Sequence, residues 1–482
     1  MAIASEQSLS SASLRLRTNV RRLLTWRHVT AAIPLIVLGL AILADHQIYT
    51  VYRFDTAVHG DAEGYYAYLP SYLIYHDVSL STVIQRHVIP AYSALGHQPP
   101  AYFGFFRQVN GNWLDRYGIG VAVLVLPFFV VGHVIALASH MKANGYSDPE
   151  LYAAAAATIA CLCAGLLALR AVLQRWCADW AVAVTLVAVT FGTSLFNFAT
   201  WDPVNSHAYS FFAFALLLLA TLRWYERPRS WPRALLVGAL CGLIVDIRPT
   251  DALLLIALPL LQVGSMAAFR ARLRLFAQHR LRLAAVAGAA LLAFLPQSIV
   301  WHIATGHWVA QPYQGAVFDF THPALLDSLF AFRPHGLLPY APVLLFSFAG
   351  LIWAWFRRRD IALPVTAAFL PFWYLTSAWY DWSFSDGFGQ RAFIDILPLL
   401  ALPMAFFFTS LRGRVARLAT VAVAGLFTAV TCALMLGYWQ YRISGEGIDP
   451  PGYVAILAHP HRLLGPPEFP SWLLPTIPPD KR

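Results

Sequence analysis

Leu151–Leu169 reads LYAAAAATIACLCAGLLAL, carries no charged residue and is followed directly by Arg170. A hydrocarbon layer of roughly 30 Å needs a helix of about 20 predominantly apolar residues to cross it. Three further stretches, Val29–Ala44, Phe211–Leu222 and Val415–Leu436, are also apolar and bounded by arginine clusters. The sequence therefore predicts helices that cross a membrane.

The composition of the whole chain excludes a soluble protein. Of the 482 residues 59% are hydrophobic and only 12% are charged, against about 25% charged residues in an ordinary soluble domain. The mean hydropathy is +0.58. All five cysteines lie in or beside apolar segments, so no disulfide framework or thiolate metal site is predicted.

The net charge of +10 comes from arginines that cluster between the apolar segments. The clusters are Arg15–Arg27, Arg223–Arg233, Arg270–Arg282, Arg357–Arg359 and Arg412–Arg417. Cytoplasmic loops of membrane proteins carry such an excess of basic residues. We therefore predict a lipid bilayer as the surroundings of the chain and no nucleic-acid partner.

The arginine clusters also predict the topology. Residues 1–28 form a basic cytoplasmic tail, residues 29–438 the membrane domain with a first extracytoplasmic loop at about 45–150, and residues 439–482 a Pro-rich extracytoplasmic tail. If Ile119–Ala138 crossed the membrane, every later cluster would fall on the wrong face, so this segment is predicted not to cross. About eleven spans result. After the first they run approximately over 151–170, 180–199, 207–223, 233–247, 251–267, 283–302, 336–356, 361–380, 391–411 and 415–438.

This topology gathers the polar segments on the extracytoplasmic face. They are Trp201–His207, Arg248–Asp251, Ala304–His335 and Trp379–Arg391, together with the first loop. Spans 233–247 and 251–267 are short, and Pro249 stands between them with two charged residues. Interrupted helices of this kind commonly mark binding sites in membrane proteins, so these span ends are predicted to line a polar cavity.

Two carboxylates, Asp61 and Glu63, stand close after the first span. Asp is a preferred residue at helix N-termini, so Asp61 is consistent with a helix cap near Ala62. A carboxylate at a membrane surface is equally suited to remove the proton from an attacking hydroxyl. Both roles stay open for these residues.

The segment from Asp61 to Ala67, Asp-Ala-Glu-Gly-Tyr-Tyr-Ala, resembles the acidic first-loop motif of the C-type glycosyltransferase (GT-C) superfamily. That superfamily includes protein O-mannosyltransferases and lipid A aminoarabinose transferases. Similarity to its bacterial members continues, up to about residue 411, in Arg116–Phe129, Asp202–Phe212, Arg248–Thr250 and Phe388–Arg391. Acidic residues are commonly adjacent in the family motif, whereas Ala62 separates Asp61 from Glu63 here, so both remain candidates for the base.

The resemblance implies an all-α polytopic GT-C-like fold with juxtamembrane helices in the first extracytoplasmic loop. It also implies an inverting glycosyltransferase of a bacterial inner membrane, with a polyprenyl-phosphate-linked sugar as donor and a hydroxyl of a glycan, lipid or protein as acceptor. By this resemblance Asp61 is the base, with Glu63 beside it. Its active site would face the extracytoplasmic side.

The leaving phosphate needs charge neutralisation, which arginine supplies in a fixed bidentate form. Arg391, Arg248 and Arg333 all stand at span ends and are the candidates, although interfacial snorkelling also explains such positions. Candidates for binding the sugar or the acceptor are Tyr65, Tyr66, Asp202, His207, Tyr313, Gln314 and Gln390. Asp202 and His207 could instead hold a divalent metal, Mg or Mn, or make ordinary interfacial hydrogen bonds.

A secondary transporter or a flippase of lipid-linked glycans is the alternative function. Transporters place ionisable residues near the middle of the membrane and often show repeated halves. This sequence shows no internal repeat, and its polar residues concentrate at one predicted surface, with Asp246 as the main exception. Those observations favour the transferase.

Overall fold

The computed structural model describes residues 26–49, 57–90, 102–103, 106–313, 317–465 and 468. Among them are fourteen helices of nine residues or more, numbered here in chain order. They are α1 (Trp26–Gln47), α2 (Asp61–Leu73), α3 (Gly120–Ala138), α4 (Asp148–Leu173), α5 (Asp179–Phe191), α6 (Ser206–Glu226), α7 (Trp231–Ile247), α8 (Met266–Gln278), α9 (Arg280–Thr305), α10 (Leu345–Arg357), α11 (Arg359–Ala378), α12 (Leu397–Ser410), α13 (Arg414–Trp439) and α14 (Pro450–Ala458).

Shorter helical segments connect these helices. Those of α type are Ser81–Val83, Asn197–Thr200, Ala257–Leu260, Leu325–Phe330 and Leu337–Tyr340; the tighter 3-10 segments are Pro249–Ile256, Pro342–Leu344, Arg391–Ile394 and Pro460–Leu464; and Ile84–Val88 is a π-helix. The basic tail up to residue 25 and most of the Pro-rich tail after residue 465 lie outside the described residues.

Seven of the described helices are long and apolar enough to cross a membrane, namely α1, α3, α4, α6, α9, α11 and α13. Four shorter apolar segments accompany them, at Asp179–Phe191, Pro249–Leu260, Pro342–Arg357 and Leu397–Ser410. The predicted helical, multi-spanning membrane protein is thereby confirmed, as are helices within its first loop. The number of eleven spans stays a prediction.

The long helices share two ends, which we call the arginine end and the site end. At the arginine end, Arg170 of α4 donates to Thr30 Oγ1 near the start of α1 at 2.9 Å, and Arg175 and Arg233 pair with Glu226. The start of α1, the end of α4 and the Arg223–Arg233 cluster are therefore neighbours. At the other end, the ring of Tyr49 lies 6.1 Å from that of Tyr152, so α1 and α4 run antiparallel.

Helix α3 begins and ends at the site end. Its first residue, Gly120, packs against Ile247 at the end of α7. Towards its other end, Gly132 packs against Pro149, and His133 Nδ1 lies 2.7 Å from the Glu150 carboxylate in the first turn of α4. Because both contacts are with site-end helix termini, α3 lies along this end although its length would allow it to cross. The contacts support the prediction that this segment does not cross.

A 3-10 segment, Pro249–Ile256, replaces the start of the predicted span 251–267. A 3-10 helix rises about 2.0 Å per residue, against about 1.5 Å in an α-helix, so these few residues reach further than an α-helix would. The segment is anchored at Asp251, whose carboxylate accepts a hydrogen bond from Ser210 at 2.6 Å. Near the opposite end, Leu258 accepts a hydrogen bond from Tyr225 at 2.9 Å.

A three-stranded antiparallel sheet, absent from the sequence prediction, lies in the first loop. Its strands are β1 (Tyr102–Phe103), β2 (Phe106–Val109) and β3 (Asn112–Asp115), in the order β1-β2-β3. Asn110 and Gly111 join β2 to β3, and both have positive φ, 51° and 81°. Asn-Gly is the favoured pair for such a two-residue hairpin turn. The Asn112 side chain donates to the Ile303 carbonyl at 2.9 Å, which fixes the hairpin against α9.

Candidate functional site

A cavity of about 660 Å³ opens at the site end. Its walls come from the start of α2, the Arg116–Gly118 segment before α3, the chain before α6, the α7 terminus, one face of α9 and the loops around Tyr313 and Phe384. Asp246, Arg248 and Pro249 all line it. The prediction that the ends of these two interrupted spans border a polar cavity is therefore confirmed.

Asp61, the first residue of α2, places its carboxylate in this cavity. Oδ1 accepts a hydrogen bond from the Tyr117 hydroxyl at 2.6 Å, and Oδ2 lies 3.0 Å from Nη2 of Arg391. Burial alone would raise the pKa of Asp61, but the Arg391 guanidinium and the Tyr117 hydroxyl outweigh it and hold that pKa below its usual value. Asp61 is thus an ionised carboxylate at neutral pH with 30% of its side chain exposed.

Tyr117 is held in place by the motif that follows Asp61. Its ring stacks on the ring of Tyr65 with a centroid distance of 4.4 Å, and Gly64 leaves room for that ring. Its carbonyl accepts a hydrogen bond from Tyr68 at 2.7 Å. Gly64 and Tyr65 of the motif, together with Tyr68 just after it, therefore position the hydroxyl that binds Asp61.

Arg248 is fixed by a buried network behind the cavity. Its Nε lies 3.2 Å from Oδ2 of Asp395, and its Nη1 donates to Ser206 Oγ at 3.3 Å. Asp395 is fully buried and also contacts His207 Nδ1 at 2.9 Å. A guanidinium held on one edge by a carboxylate keeps a defined orientation. Arg248 also lines the cavity, with 17% of its side chain exposed.

Asp202 and His207, the predicted metal-binding or acceptor-orienting pair, contact different partners. Asp202 binds His59 Nε2 at 3.2 Å and Asn197 Nδ2 at 3.1 Å, whereas His207 is 1% exposed and contacts Asp395. Among the described residues no group of three or more His, Cys, Asp or Glu side chains could hold a metal ion. A divalent metal at Asp202 or His207 therefore stays a prediction.

Tyr313 and Arg116 also line the cavity. The Arg116 guanidinium lies 5.1 Å from the Tyr313 ring centroid, and that ring packs edge-on against Trp379 at 5.6 Å. Burial raises the pKa of Tyr313 to about 12. Its phenol therefore stays protonated at neutral pH and can donate a hydrogen bond.

Six of the predicted site residues line the cavity: Asp61, Tyr65, Asp202, Arg248, Tyr313 and Arg391. Five others do not: Glu63, Tyr66, His207, Arg333 and Gln390. Gln314 lies outside the described residues.

Two of the residues outside the lining support those within it. The Tyr66 hydroxyl donates to the Gly145 carbonyl at 2.5 Å, which ties α2 to the loop after α3. The Gln390 side chain binds the Trp382 carbonyl and accepts from the Ala392 amide, so it shapes the turn that presents Arg391. Arg333 is exposed.

The sequence prediction omitted Tyr117, Asp395 and Arg116. Asp395 could have been found, because a carboxylate inside an otherwise apolar span is a functional candidate by default. Tyr117 and Arg116 lie in the Arg116–Phe129 stretch that resembles the GT-C family, but nothing in the sequence alone shows that the Tyr117 hydroxyl reaches Asp61. That contact depends on how the start of α2 meets the strand before α3.

The cavity thus combines an ionised carboxylate with guanidinium groups from Arg116, Arg248 and Arg391. Its wall also contains the aromatic side chains of Phe318, Phe372, Trp379, Tyr380 and Phe384. Guanidinium groups bind phosphate oxygens. Such a site can hold a phosphate anion with an apolar attachment and remove a proton close by.

No protein-family model matches the chain, and no curated protein sequence matches it. The solved structures that are similar in fold include three of an oligosaccharyltransferase from Archaeoglobus fulgidus. The enzyme tethered to an acceptor peptide has a TM-score of 0.46 and 13% identity, and its apo form 0.46 and 14%. The complex of that oligosaccharyltransferase, AglB, with an inhibitory peptide and a dolichol-phosphate has a TM-score of 0.47 and 13% identity.

In each case the similarity covers 91% of this chain and 60% of the other. The chain therefore spans about 60% of the length of these transferases. Similarity at this level describes the path of the chain and carries over neither a substrate nor a role for any residue.

Proposed function

We propose that the protein is a membrane glycosyltransferase that moves a sugar from a polyprenyl-phosphate carrier to a hydroxyl acceptor. The observation that carries this proposal is the ionised Asp61 carboxylate in a cavity that also contains three guanidinium groups. A volume of about 660 Å³ lies within the usual range for small-molecule sites, roughly 300–1,000 Å³. It accommodates a sugar, its phosphate and an acceptor hydroxyl together.

In this reaction the acceptor oxygen attacks the anomeric carbon while its proton passes to the Asp61 carboxylate. The bond between the anomeric carbon and the phosphate oxygen breaks, and the polyprenyl phosphate leaves with that electron pair. An attack opposite to the leaving group inverts the anomeric centre. Such an in-line arrangement requires the base and the phosphate-binding cation to lie on opposite sides of the sugar.

We propose different roles for Arg391 and Arg248 in this reaction. Arg391 lies only 3.0 Å from Asp61, so no sugar fits between them, and its role is to keep Asp61 ionised. Arg248 is held separately by Asp395 and faces the same cavity. We assign the departing phosphate to Arg248, whose charge offsets the charge that develops on the leaving oxygen.

The site is proposed to face the extracytoplasmic side of a bacterial inner membrane, with the N-terminus in the cytoplasm. The support is the placement of Arg170, Arg175 and Arg233 at the end of the bundle opposite Asp61. Basic residues accumulate on the cytoplasmic side of membrane proteins. The acceptor would accordingly be a glycan, lipid or protein hydroxyl outside the cytoplasm.

The test is turnover by the purified protein in lipid nanodiscs. Undecaprenyl-phosphate glucose and mannose, labelled in the sugar, are supplied with methyl glycosides as hydroxyl acceptors. The proposal expects release of sugar-free undecaprenyl phosphate together with transferred or hydrolysed sugar. The Arg248→Gln variant should lower kcat/KM for the donor about tenfold or more, because charged hydrogen bonds contribute about 1.5–3 kcal/mol. Arg333→Gln, which removes an exposed arginine outside the cavity lining, is the matched control.

A flippase gives the opposite result in the same preparation. Reconstituted into proteoliposomes, it would move these lipids between leaflets without breaking the bond between sugar and phosphate. Intact labelled lipid on both leaflets, with no cleavage, overturns the transferase.

A further inference from the structure

The wall of the cavity away from Arg391 contains three deeply buried polar side chains. Asp246 at the end of α7 is 2% exposed, Gln297 of α9 is 2% exposed and Trp301 of α9 is 7% exposed. All three line the cavity. The proposed proton transfer and phosphate binding use none of these three side chains.

Each of these side chains has one polar atom without a hydrogen-bond partner among the described residues. These atoms are Asp246 Oδ1, Gln297 Nε2 and Trp301 Nε1. A buried donor or acceptor that stays unsatisfied costs about 1–3 kcal/mol. One acceptor and two donors at the border of a cavity therefore indicate an occupant that supplies hydroxyl groups.

The surrounding structure gives these residues fixed positions. The Ile119 amide donates to Gln297 Oε1 at 2.7 Å, so the amide oxygen is used and the Nε2 donor remains. A Cβ atom built on Gly118 would lie 2.0 Å from the Asp246 carbonyl oxygen and 3.5 Å from Gln297 Oε1, so the backbone of Asp246 and the side chain of Gln297 both lie close to this one glycine. Trp301 follows Gln297 by four residues, and residues with that spacing share a helix face.

The same segment connects this wall to the proton acceptor. Tyr117 donates its hydroxyl to Asp61, and Gly118, its neighbour in the chain, contacts Asp246 and Gln297. Phe294 packs edge-on against Trp301 at a centroid distance of 5.7 Å and also lines the cavity. The wall therefore offers a carboxylate, an amide, an indole N–H and aromatic surface beside the reaction centre.

We infer that Asp246, Gln297 and Trp301 form a subsite that binds a pyranose ring through its hydroxyl groups. A carboxyl oxygen of Asp246 can accept a hydrogen bond from a hydroxyl, while the amide and indole N–H groups donate to ring or hydroxyl oxygens. The inference rests on the proposed function, because that function brings sugars to this cavity. The ring belongs either to the donor or to an acceptor glycan, and both present the same chemistry.

The test uses Trp301→Phe, which removes the indole N–H and keeps an aromatic ring, and Asp246→Asn, which replaces one carboxyl oxygen with an amide NH₂ group. Trp308→Phe is the control, because Trp308 is 57% exposed and stacks on His302 outside the cavity lining. Binding is measured with undecaprenyl phosphate, with its glucose and mannose derivatives, and with the corresponding methyl glycosides added to protein already loaded with undecaprenyl phosphate. Melting temperatures show whether each variant is folded.

If the ring belongs to the donor, the sugar-bearing lipids lose about fivefold in affinity in Trp301→Phe and about tenfold in Asp246→Asn. Affinity for sugar-free undecaprenyl phosphate stays unchanged. If the ring belongs to the acceptor, only the methyl glycosides lose affinity. Unchanged affinity for both kinds of sugar in folded variants overturns the subsite, whereas failure of the wild-type protein to bind any of the lipids overturns the proposed function instead.

Discussion

Nη2 of Arg391 lies 3.0 Å from Oδ2 of Asp61, at the point where the start of α2 meets the 3-10 segment that begins at Arg391. The pair joins residues far apart in the chain into one charged site. It has a consequence for the pH dependence of the proposed reaction, because Arg391 is the main opposing influence on the burial that would otherwise raise the pKa of Asp61.

The proposed base works only when ionised, so activity falls as pH drops through the pKa of Asp61. That acidic limb should lie below the ordinary carboxyl value of 3.8 in the wild-type protein. In Arg391→Gln the guanidinium no longer lowers the pKa of Asp61, so burial raises that pKa. The acidic limb should therefore move to higher pH. The measurement is kcat against pH at saturating donor. Arg229→Gln, which removes an exposed arginine outside the cavity lining, is the control, and an unmoved limb in Arg391→Gln would show that the pair does not set this pKa.

Asp395 should be essential to stability because it balances a partly buried guanidinium. Asp395→Leu leaves Arg248 without its carboxylate, and loss of one partner of a buried ion pair costs about 3–5 kcal/mol. The double variant Asp395→Leu with Arg248→Met should recover part of that loss. Thermal unfolding in detergent measures both. If the single and the double variant lose the same amount of stability, the ion pair between Asp395 and Arg248 does not contribute to the stability of the protein.

Gly118 should not tolerate a side chain. A Cβ atom there would lie 2.0 Å from the Asp246 carbonyl oxygen, so Gly118→Ala must push α3 away from α7. We expect a loss of about 1–3 kcal/mol, which is typical of overpacking, together with weaker substrate binding. Gly39→Ala, at a position with no atom within 4 Å of the new Cβ, is the matched control. Equal melting temperatures for the two variants would contradict the close approach.

The placement of α3 predicts a labelling pattern for single cysteines in a cysteine-free background. Lys142, just after α3, and Asn110, at the turn of the hairpin before it, should react with an impermeant thiol reagent from the same side of the membrane. A cysteine at Arg229, at the arginine end, should react only from the opposite side. All three positions are exposed. Lys142 and Asn110 reacting from opposite sides of the membrane would mean that α3 crosses.

Most of the helical architecture follows from the sequence because apolar runs and arginine clusters are strong signals. The run from Leu151 and the cluster at Arg170 predict α4 and its polarity. The prediction that α3 does not cross rests on the same count of charges. The hairpin was missed because its strands are short, although Asn110-Gly111 is a strong turn signal.

The site is predictable only in part. Asp61, Arg248 and Arg391 are recognisable as charged residues near span ends. Their pairing depends on tertiary contacts between segments that are hundreds of residues apart, so it cannot be predicted from their spacing in the sequence. Arg391 is an example: the sequence offers it as a phosphate-binding candidate but does not reveal its contact with Asp61, which leaves Arg248 as the proposed ligand of the phosphate.

The most direct test of the central claim is the rate of sugar transfer in Asp61→Asn, compared with Glu63→Gln and Asp327→Asn. Asp327 is an exposed carboxylate outside the cavity lining. General-base catalysis contributes about 10²–10⁴-fold, so Asp61→Asn should lose at least about 100-fold, while Glu63→Gln and Asp327→Asn retain most of their activity. A folded Asp61→Asn protein that transfers sugar at the wild-type rate would contradict the account.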